Sequence, residues 1–377
     1  MNNLAMAYYS MGRQTEALAL LEQTLVMTKA QLGPEHSSTL KTMNNLAMGY
    51  ESAGRLAEAV QLLEESLELM KGSLGPEHPD TLASMYNLAH AYRSAERLAE
   101  ALPLYEQTLE LRKAKLGLEH PETLVSMRDL AYAYKSAGKL AEALPLYEHL
   151  LERMKTKLGP KSSLTLSLMN NLALEYQSAG KLAEALSLFE QTLELRMATL
   201  GPENPDTFAS IKNLANAYFL DEQSEKALRL YDQLISGDRG RATPDDPAFA
   251  DRLAAVSLEL LQHRHYPAAE TYLRECLTIR EKKLPDEWRL FNTKSMLGGA
   301  LAGQKKFQEA EPLLVEGYSG MKEREAKIPP AAKTRLPEAI RRLVDLYTAW
   351  NRPEEAAKWQ ALLDESAAKP DSAAVKP

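Results

Sequence analysis

A side-chain amide returns at a spacing of 42 residues along much of the chain. Aspartate replaces it once, and the recurring positions are Asn3, Asn45, Asn87, Asp129, Asn171 and Asn213. An amide can offer both a donor and an acceptor to a protein backbone, regardless of the sequence of that backbone. Asparagine also caps or bridges neighbouring helices, which is the competing interpretation. Helical geometry predicts that these residues lie on the inner face of a groove.

Basic side chains stand near the amides in the third, fourth and sixth repeats of this spacing. They are His90, Arg93, Arg128, Lys135 and Lys212. On a chain whose formal net charge is -7, this local excess of cations favours an acidic peptide or another ligand with a carboxylate. Glu51 and Asp129 reduce the excess, and an ordinary solvated helix face is the alternative interpretation.

Residues that support catalysis or metal binding do not come together in the sequence. One histidine per repeat recurs between repeats, at positions too far apart for one ion: His36, His78 and His120. His263 and His265 are close neighbours but lack an evident third ligand. Cys276, the single cysteine, cannot form an intramolecular disulfide, and we expect it to be buried. We predict that the protein is not an enzyme and has no catalytic residue, metal or cofactor.

Composition narrows the class of partner. Hydrophobic residues make up 45% and charged residues 26% of the 377, which indicates a folded and mostly helical chain. No long basic stripe favours a nucleic acid, and no apolar run approaches the ~18 to 20 residues that span a bilayer. The amino-terminal segment lacks the basic start of a secretion signal. We therefore expect a cytoplasmic protein with no nucleic-acid or membrane partner.

Apolar periodicity within each repeat predicts two amphipathic helices. In the third repeat, Leu88, Ala89 and Tyr92 share one face of the first helix. Ala101 and Tyr105 share one face of the second helix in the same way. The small alanines allow the two helices to approach closely, so each repeat is expected to form a helical hairpin.

Turn-forming residues punctuate the repeats. The first helix is expected to stop at a left-handed glycine in four repeats: Gly12, Gly54, Gly138 and Gly180. Glu96 and Glu222 break this pattern, and we expect each to cost some stability. The segment between repeats is seen complete at residues 74–81, where glycine and proline end one helix and Pro79 starts the next.

The number of repeats follows from an alanine that recurs in the second helix of each repeat. It falls regularly and then more loosely at Ala17, Ala59, Ala101, Ala143, Ala185, Ala227, Ala269, Ala310 and Ala356. One hairpin cannot bury its apolar face alone, whereas stacked hairpins share a continuous core. We predict an all-α, right-handed superhelical solenoid of about nine helical hairpins.

The repeat resembles the tetratricopeptide repeat (TPR) at Leu88, Ala89, Tyr92, Ala101 and Tyr105. The added segment LGPEHPDTL is similar to that of kinesin light chain repeats. This resemblance is strong over residues 1–235 and weaker over residues 248–365. It implies a TPR solenoid that binds proteins, with an asparagine ladder that holds the main chain of an extended peptide. It does not identify the partner, because this repeat serves many unrelated partners.

The regularity of the repeats predicts the domain organisation. Residues 1–235 are expected to form six regular repeats, residues 236–247 a loop or hinge, residues 248–366 three divergent repeats and residues 367–377 a disordered tail. Met1 already occupies the position of Met43, so about two turns of the first helix are missing. We expect a fragment of a longer protein or a mis-assigned start, with a short first helix docked on a partner as the alternative.

The carboxy-terminal repeats, with the segment LRECLTIREKKLPDEW, are similar to the tails of multidomain bacterial serine/threonine kinases. The kinase motifs themselves are absent from this sequence. The expected function is a scaffold that binds an extended or helical peptide segment in the Asn-lined groove. One alternative is a regulatory or substrate-docking region of such a kinase, and another is a self-associating architectural scaffold. The oligomeric state and the identity of the partner stay open.

Overall fold

The computed structural model describes residues 1–243 and 245–368, which form helices and no strands. The chain folds as two compact units, Met1–Gly201 and a second unit that begins at Pro202. In each unit, consecutive helices pair into hairpins. Across the described residues, eighteen α-helices form nine hairpins, which confirms the number that the alanine positions predict.

The helices of the first unit are α1 (Asn2–Ser10), α2 (Gln14–Leu32), α3 (Ser37–Ser52), α4 (Leu56–Leu74), α5 (Pro79–Ser94), α6 (Leu98–Leu116), α7 (Pro121–Ser136), α8 (Leu140–Leu158), α9 (Ser163–Ser178) and α10 (Leu182–Leu200). The odd-numbered helices are the first helices of the hairpins. Each packs against the second helix of its own hairpin, and each after α1 also packs against the second helix of the hairpin before it.

The helices of the second unit are α11 (Pro205–Leu220), α12 (Ser224–Arg241), α13 (Pro247–Gln262), α14 (Tyr266–Lys283), α15 (Trp288–Gly303), α16 (Phe307–Glu323), α17 (Arg335–Ala349) and α18 (Pro353–Ala368). Two short 3-10 helices, Glu325–Lys327 and Pro330–Ala332, connect α16 to α17. The divergent repeats therefore keep the hairpin pattern.

The predicted core residues of the repeat are buried. Leu88 is 4% exposed, and Ala89, Ala101 and Tyr105 are fully buried, so the two predicted helix faces meet in one core. Cys276 is also fully buried, as expected. These buried side chains hold the first helices in fixed positions, which is the condition for a groove built from their exposed faces.

The turn inside each hairpin has the predicted left-handed residue. Gly54 has a φ of 75°, and the N–H of Arg55 donates to the carbonyl of Tyr50 at 2.8 Å, which closes the end of α3. Glu96 takes the same conformation with a φ of 60°, and Glu222 with a φ of 58°. The turn thus keeps its left-handed geometry where glycine is absent, and the stability cost that the sequence predicts at these two positions stays a prediction.

The segment between hairpins ends and starts helices as predicted. Gly75, with a φ of 88°, follows the last residue of α4, and Pro79 is the first residue of α5. His78 is the N-cap of α5, because its Nδ1 accepts a hydrogen bond from the N–H of Asp80 at 3.2 Å. His36 and His120 cap α3 and α7 in the same way. The recurring histidines are helix caps, a role that satisfies otherwise unpaired backbone donors.

The predicted loop at residues 236–247 is wrong in its first half, because α12 continues to Arg241. Asp238 is 8% exposed and pairs with Arg241 at 2.7 Å and with Arg252 at 3.2 Å. These contacts offset the helix cost of about 1 kcal/mol that glycine adds at positions 237 and 240. The first compact unit moreover ends at Gly201 instead of residue 235.

The predicted disordered tail, residues 367–377, is also placed differently at its start. Ala367 and Ala368 belong to the last turn of α18. Alanine has the highest helix propensity, so a pair of alanines extends the helix at low cost. Residues 369–377 lie outside the described residues.

Candidate functional site

A cleft of about 610 Å³ opens on the first helices of the third to fifth hairpins. Its lining comes from α5, α7 and α9, with one side chain from α8. The lining residues are Arg93, Arg128, Asp129, Tyr132, Lys135, Tyr147, Leu168, Asn171, Leu172, Leu174, Glu175 and Ser178. Five predicted site residues, at positions 93, 128, 129, 135 and 171, thus lie together in one concave site.

The cleft has an apolar floor. Leu168, Leu172 and Leu174 of α9 supply aliphatic surface, and Tyr132 and Tyr147 supply aromatic surface. Tyr132 is 49% exposed, a large fraction for an aromatic ring on a helix. Burial, together with the nearby carboxylate of Glu175, raises the pKa of Tyr147 to about 12, so its hydroxyl stays protonated. Such a floor can bury an apolar group of a ligand while the rim offers polar partners.

Most of the predicted cations pair with carboxylates. Lys135 contacts Glu175 at 2.5 Å, and Nε of Arg128 donates to Asp129 at 2.8 Å. In the second unit, Lys212 contacts Glu259 at 2.7 Å. The cleft itself is lined by three cations and two carboxylates, which leaves one net positive charge. The basic character predicted from the sequence is therefore reduced to a single unit of charge.

Arg93 is the cleft cation for which no ion pair exists in the described part of the chain. Its guanidinium lies 5.0 Å from the centroid of the Tyr132 ring, and one of its Nη atoms donates to Nε2 of His90 at 2.9 Å. Its Nε is buried without a hydrogen-bond partner among the described residues. The excess positive charge of the cleft therefore resides on Arg93.

The amide positions differ in their surroundings. Asn3 and Asn171 are exposed, whereas Asn45, Asn87 and Asn213 are half-buried. Nδ2 of Asn87 lies 3.5 Å from Oδ1 of Asn44, the limit of a weak hydrogen bond. Only Asp129 and Asn171 of this series line the cleft.

The aspartate of the series is engaged inside the protein. Asp129 accepts hydrogen bonds from the Tyr86 hydroxyl and from Arg128, and its side chain is 14% exposed. In the described residues, by contrast, the Asn171 amide makes no side-chain hydrogen bond. Asn171 is thus the amide of the cleft that is open to a ligand.

Glu175 is a cleft residue that the sequence analysis missed. Its carboxylate is 7% exposed and pairs with Lys135 of the preceding hairpin. The same position in the sister repeats holds a small residue, namely Gly49, Ala91, Ala133 and Ala217. That contrast in the repeat alignment was the available signal, because a buried carboxylate at an otherwise small position requires a cationic partner.

The remaining histidines do not build a metal site. Both His263 and His265 stack on the Phe219 ring, with centroid distances of 4.3 and 4.7 Å. Burial lowers the pKa of His263 and of His265, which fits neutral rings packed on an aromatic neighbour. Among the described residues, no group of three or more His, Cys, Asp or Glu side chains could hold a metal ion. In the same residues, no helix is both long and apolar enough to cross a bilayer.

A second cleft of about 500 Å³ in the first unit shares Leu172 of α9 with the first cleft but is otherwise lined by different residues. Its lining includes Leu151, Glu152, Leu188 and Gln191, which belong to the second helices α8 and α10. It contains none of the predicted site residues. It therefore provides a control surface for experiments on the cleft formed by the first helices.

Family models described as tetratricopeptide repeat match the chain at residues 1–72, 39–114, 80–156 and 164–239, and a second such model matches residues 250–287. These matches cover more than half of the chain. No curated protein matches the chain.

Solved structures with similar folds include nearly identical TPR-like repeats assigned to a kinesin light chain of Podosopora anserina, at 35% identity and a TM-score of 0.48. That match covers 52% of this chain and 94% of the other. The carboxy-terminal part of a TPR protein from Cytophaga hutchinsonii matches at 13% identity and a TM-score of 0.51, over 76% of this chain and 97% of the other. YrrB, a TPR protein with an unusual peptide-binding site, matches at 19% identity and a TM-score of 0.40, over 56% and 91%. The resemblance of residues 248–366 to the tails of bacterial serine/threonine kinases stays a prediction.

Proposed function

The chain belongs to the tetratricopeptide repeat family, and on that premise we propose that its cleft binds an extended or helical peptide segment of a partner protein. TPR proteins generally mediate protein–protein interactions. In this proposal the chain acts as a scaffold and not as an enzyme. The observation that carries it is a concave site with an apolar floor, an open amide at Asn171 and a cation at Arg93 that has no carboxylate partner among the described residues.

The Asn171 amide can donate to a peptide carbonyl and accept from a peptide N–H at the same time. Such hydrogen bonds contribute about 1 kcal/mol each, whereas ordering a flexible peptide costs about 2–5 kcal/mol. Main-chain contacts alone therefore give little affinity. Burial of an apolar side chain against Leu168 and Leu174 supplies the remainder at about 25 cal/mol per Å².

The charge of the cleft favours an acidic segment over a basic one. Arg93 forms no ion pair in the part of the chain that the structure describes, and Arg128 keeps a largely exposed guanidinium, since its side chain is 62% exposed despite the contact with Asp129. Guanidinium groups bind carboxylates with two parallel hydrogen bonds. Because the net charge of the cleft is only one unit, we propose a modest preference that depends on Arg93 and Arg128.

The test is selection of peptides from a randomised displayed library on the full chain, followed by affinity measurements with synthetic copies. We expect the selected peptides to lose affinity about five- to tenfold with Asn171→Ala, which removes the open amide. Gln191→Ala, in the second cleft, is the matched control and should leave the affinity unchanged. A library that enriches no peptide, or affinities that respond equally to both variants, would refute the proposal.

The acidic preference has its own test. Selected peptides are compared with copies in which each Asp or Glu is replaced by Asn or Gln, on the native chain and on the double variant Arg93→Ala, Arg128→Ala. We expect the acidic copies to bind more tightly to the native chain and equally to the double variant. Equal binding of acidic and neutral copies to the native chain would contradict the preference while leaving peptide binding intact.

A further inference from the structure

Four polar side chains form a network of contacts at the edge of the cleft. Nδ1 of His90 lies 2.6 Å from Oε1 of Glu51, and Nε2 of His90 lies 2.9 Å from an Nη atom of Arg93. The Ser94 hydroxyl donates to the same oxygen of Glu51 at 2.5 Å. Glu51 belongs to α3, whereas His90, Arg93 and Ser94 belong to α5. These contacts therefore link two neighbouring first helices.

The donor and acceptor roles in these hydrogen bonds follow from elementary chemistry. A guanidinium can only donate, so Nε2 of His90 must accept the hydrogen bond from Arg93 and carries no proton. The proton of the neutral ring is then on Nδ1 and points at the Glu51 carboxylate. Burial alone would raise the pKa of Glu51, but the hydrogen bonds from His90 and Ser94 hold that pKa below its ordinary value, so the carboxylate stays ionised.

Protonation of His90 is incompatible with this arrangement. A proton on Nε2 would put two donors face to face at 2.9 Å and two cations side by side. The contact with Glu51 would persist and strengthen, because it becomes an ion pair. The group that must move is therefore Arg93.

The other polar groups around His90 and Arg93 come from two neighbouring helices. Tyr105 of α6 faces Arg93: burial, the largest effect, raises the pKa of Tyr105 to about 12, while a hydrogen bond with Arg93 and the charge of Arg93 act to lower it. From α7, the Tyr132 ring faces the guanidinium and Asp129 is held by Tyr86. Imidazole is the side chain of this set that ordinarily titrates between about pH 5 and pH 8.

We propose that Glu51 and His90 position Arg93 at the edge of the cleft, and that protonation of His90 releases Arg93 towards a ligand carboxylate. The ligand part rests on the proposed function. His90 and Glu51 are positioning residues here, because they act on the ligand through Arg93. The arrangement makes the affinity of the cleft for acidic segments depend on the protonation of His90.

The positioning itself is tested without any ligand. NMR of the ¹⁵N-labelled full chain reports the tautomer of His90 and the Nε resonance of Arg93 between about pH 8 and pH 5.5. We expect the Nδ1–H tautomer at high pH and an Arg93 resonance that shifts with the same midpoint as His90. An Nε2–H tautomer, or an Arg93 resonance that ignores the titration, would overturn the proposal. Because this measurement uses the native chain, it does not depend on the folding of a variant.

The second test measures the affinity for a peptide at two pH values. A library-selected acidic peptide should bind the native chain about two- to fivefold more tightly at about pH 5.5 than at about pH 8. His90→Gln, which keeps a donor and an acceptor but does not titrate, should abolish this dependence. Equal pH dependence in the native chain and in His90→Gln would overturn the proposal.

The matched control is His78→Asn, which removes a histidine outside the cleft. Asn204 caps α11 at the same repeat position, with Oδ1 accepting from the N–H of Asp206 at 2.9 Å, so the substitution keeps the cap. This variant should bind like the native chain at both pH values. If no peptide binds while the Arg93 resonance follows His90, the proposed function fails and the positioning stands.

Discussion

The turn between α5 and α6 offers a direct test of how the repeats are stabilised. Glu96 stands there with a φ of 60°, a conformation that glycine supplies in the sister turns, as at Gly138 with a φ of 73°. A non-glycine residue in the left-handed region costs about 1–2 kcal/mol. Replacing Glu96 by glycine removes this cost. Part of the resulting gain in stability is lost again, because glycine loses about 0.5–1 kcal/mol more backbone entropy on folding. Glu96→Gly should therefore raise the free energy of unfolding by about 0.5–1 kcal/mol.

The side chain of Glu96 is exposed and forms no ion pair in the described part of the chain, so the substitution removes no contact that would obscure the result. Glu96→Ala is the control for the carboxylate, because it keeps the Cβ atom and should give no comparable gain. The reciprocal change, Gly138→Glu, should lower the free energy of unfolding by a similar amount. The double variant exchanges the residues of two equivalent turns and leaves the composition unchanged. Its free energy of unfolding should therefore be close to that of the native chain.

Urea unfolding followed by circular dichroism measures these differences, with thermal midpoints as a second readout. For a unit of about 200 residues, 1 kcal/mol corresponds to about 2–4 °C. The reasoning is refuted if Glu96→Gly fails to stabilise while Gly138→Glu is tolerated without loss. Such a result would mean that the left-handed turn is not a source of strain in this fold.

Three further predictions concern stability. Gly317→Ala should destabilise the second unit by about 1–3 kcal/mol in urea unfolding, because the added Cβ atom would lie 2.6 Å from the backbone nitrogen of Ser295. Gly72→Ala, in α4 with no atom within 4 Å of the added carbon, should instead stabilise by about 0.5–1 kcal/mol. Burial alone would raise the pKa of Glu270, but hydrogen bonds from Lys306 and others lower it from 4.5 to about 2. Its contribution is therefore present above about pH 4.5 and lost as pH falls towards 2, so Glu270→Gln should destabilise at neutral pH and progressively less in acid. An equal difference at pH 7 and pH 3 would contradict this assignment.

Much of the fold follows from the sequence because the same residue types recur at equivalent positions of successive repeats. Buried positions such as Leu88 and Tyr105 recur with the repeat, and turn residues such as Gly54 mark the helix ends. The extension of α12 was not predictable from local propensity. Ion pairs of Asp238 hold that segment helical, and one of them reaches the next helix at Arg252.

The sequence predicted several residues of the candidate site correctly as neighbours on one face, but not the charge of the cleft that they line. Helical spacing places Arg93, Lys135 and Asn171 on one face, and the structure has all three in the cleft. Ion pairs between hairpins could not be predicted from the spacing within one helix. Lys135 and Glu175 lie 40 positions apart and meet only through the packing of α7 against the following hairpin. Composition of one helix face therefore overestimates the charge that a ligand encounters.

The capping role of the histidines shows another limit of sequence reasoning. His78 precedes a proline at the first helical position, a pattern that indicates an N-cap. Histidine is an uncommon cap, and Ser, Thr, Asp and Asn are preferred. The asparagine at position 204, in the same place of the sixth repeat, was the available signal for this role.

The most direct test of the central claim is where a bound peptide touches the protein. Methyl-labelled NMR of the full chain distinguishes the floor of the proposed site, Leu168 and Leu174, from the second cleft, Leu151 and Leu188. On addition of a library-selected peptide, we expect the resonances of Leu168 and Leu174 to shift and those of Leu151 and Leu188 to stay. Shifts confined to Leu151 and Leu188 would contradict the assignment of the binding site to the cleft of the first helices.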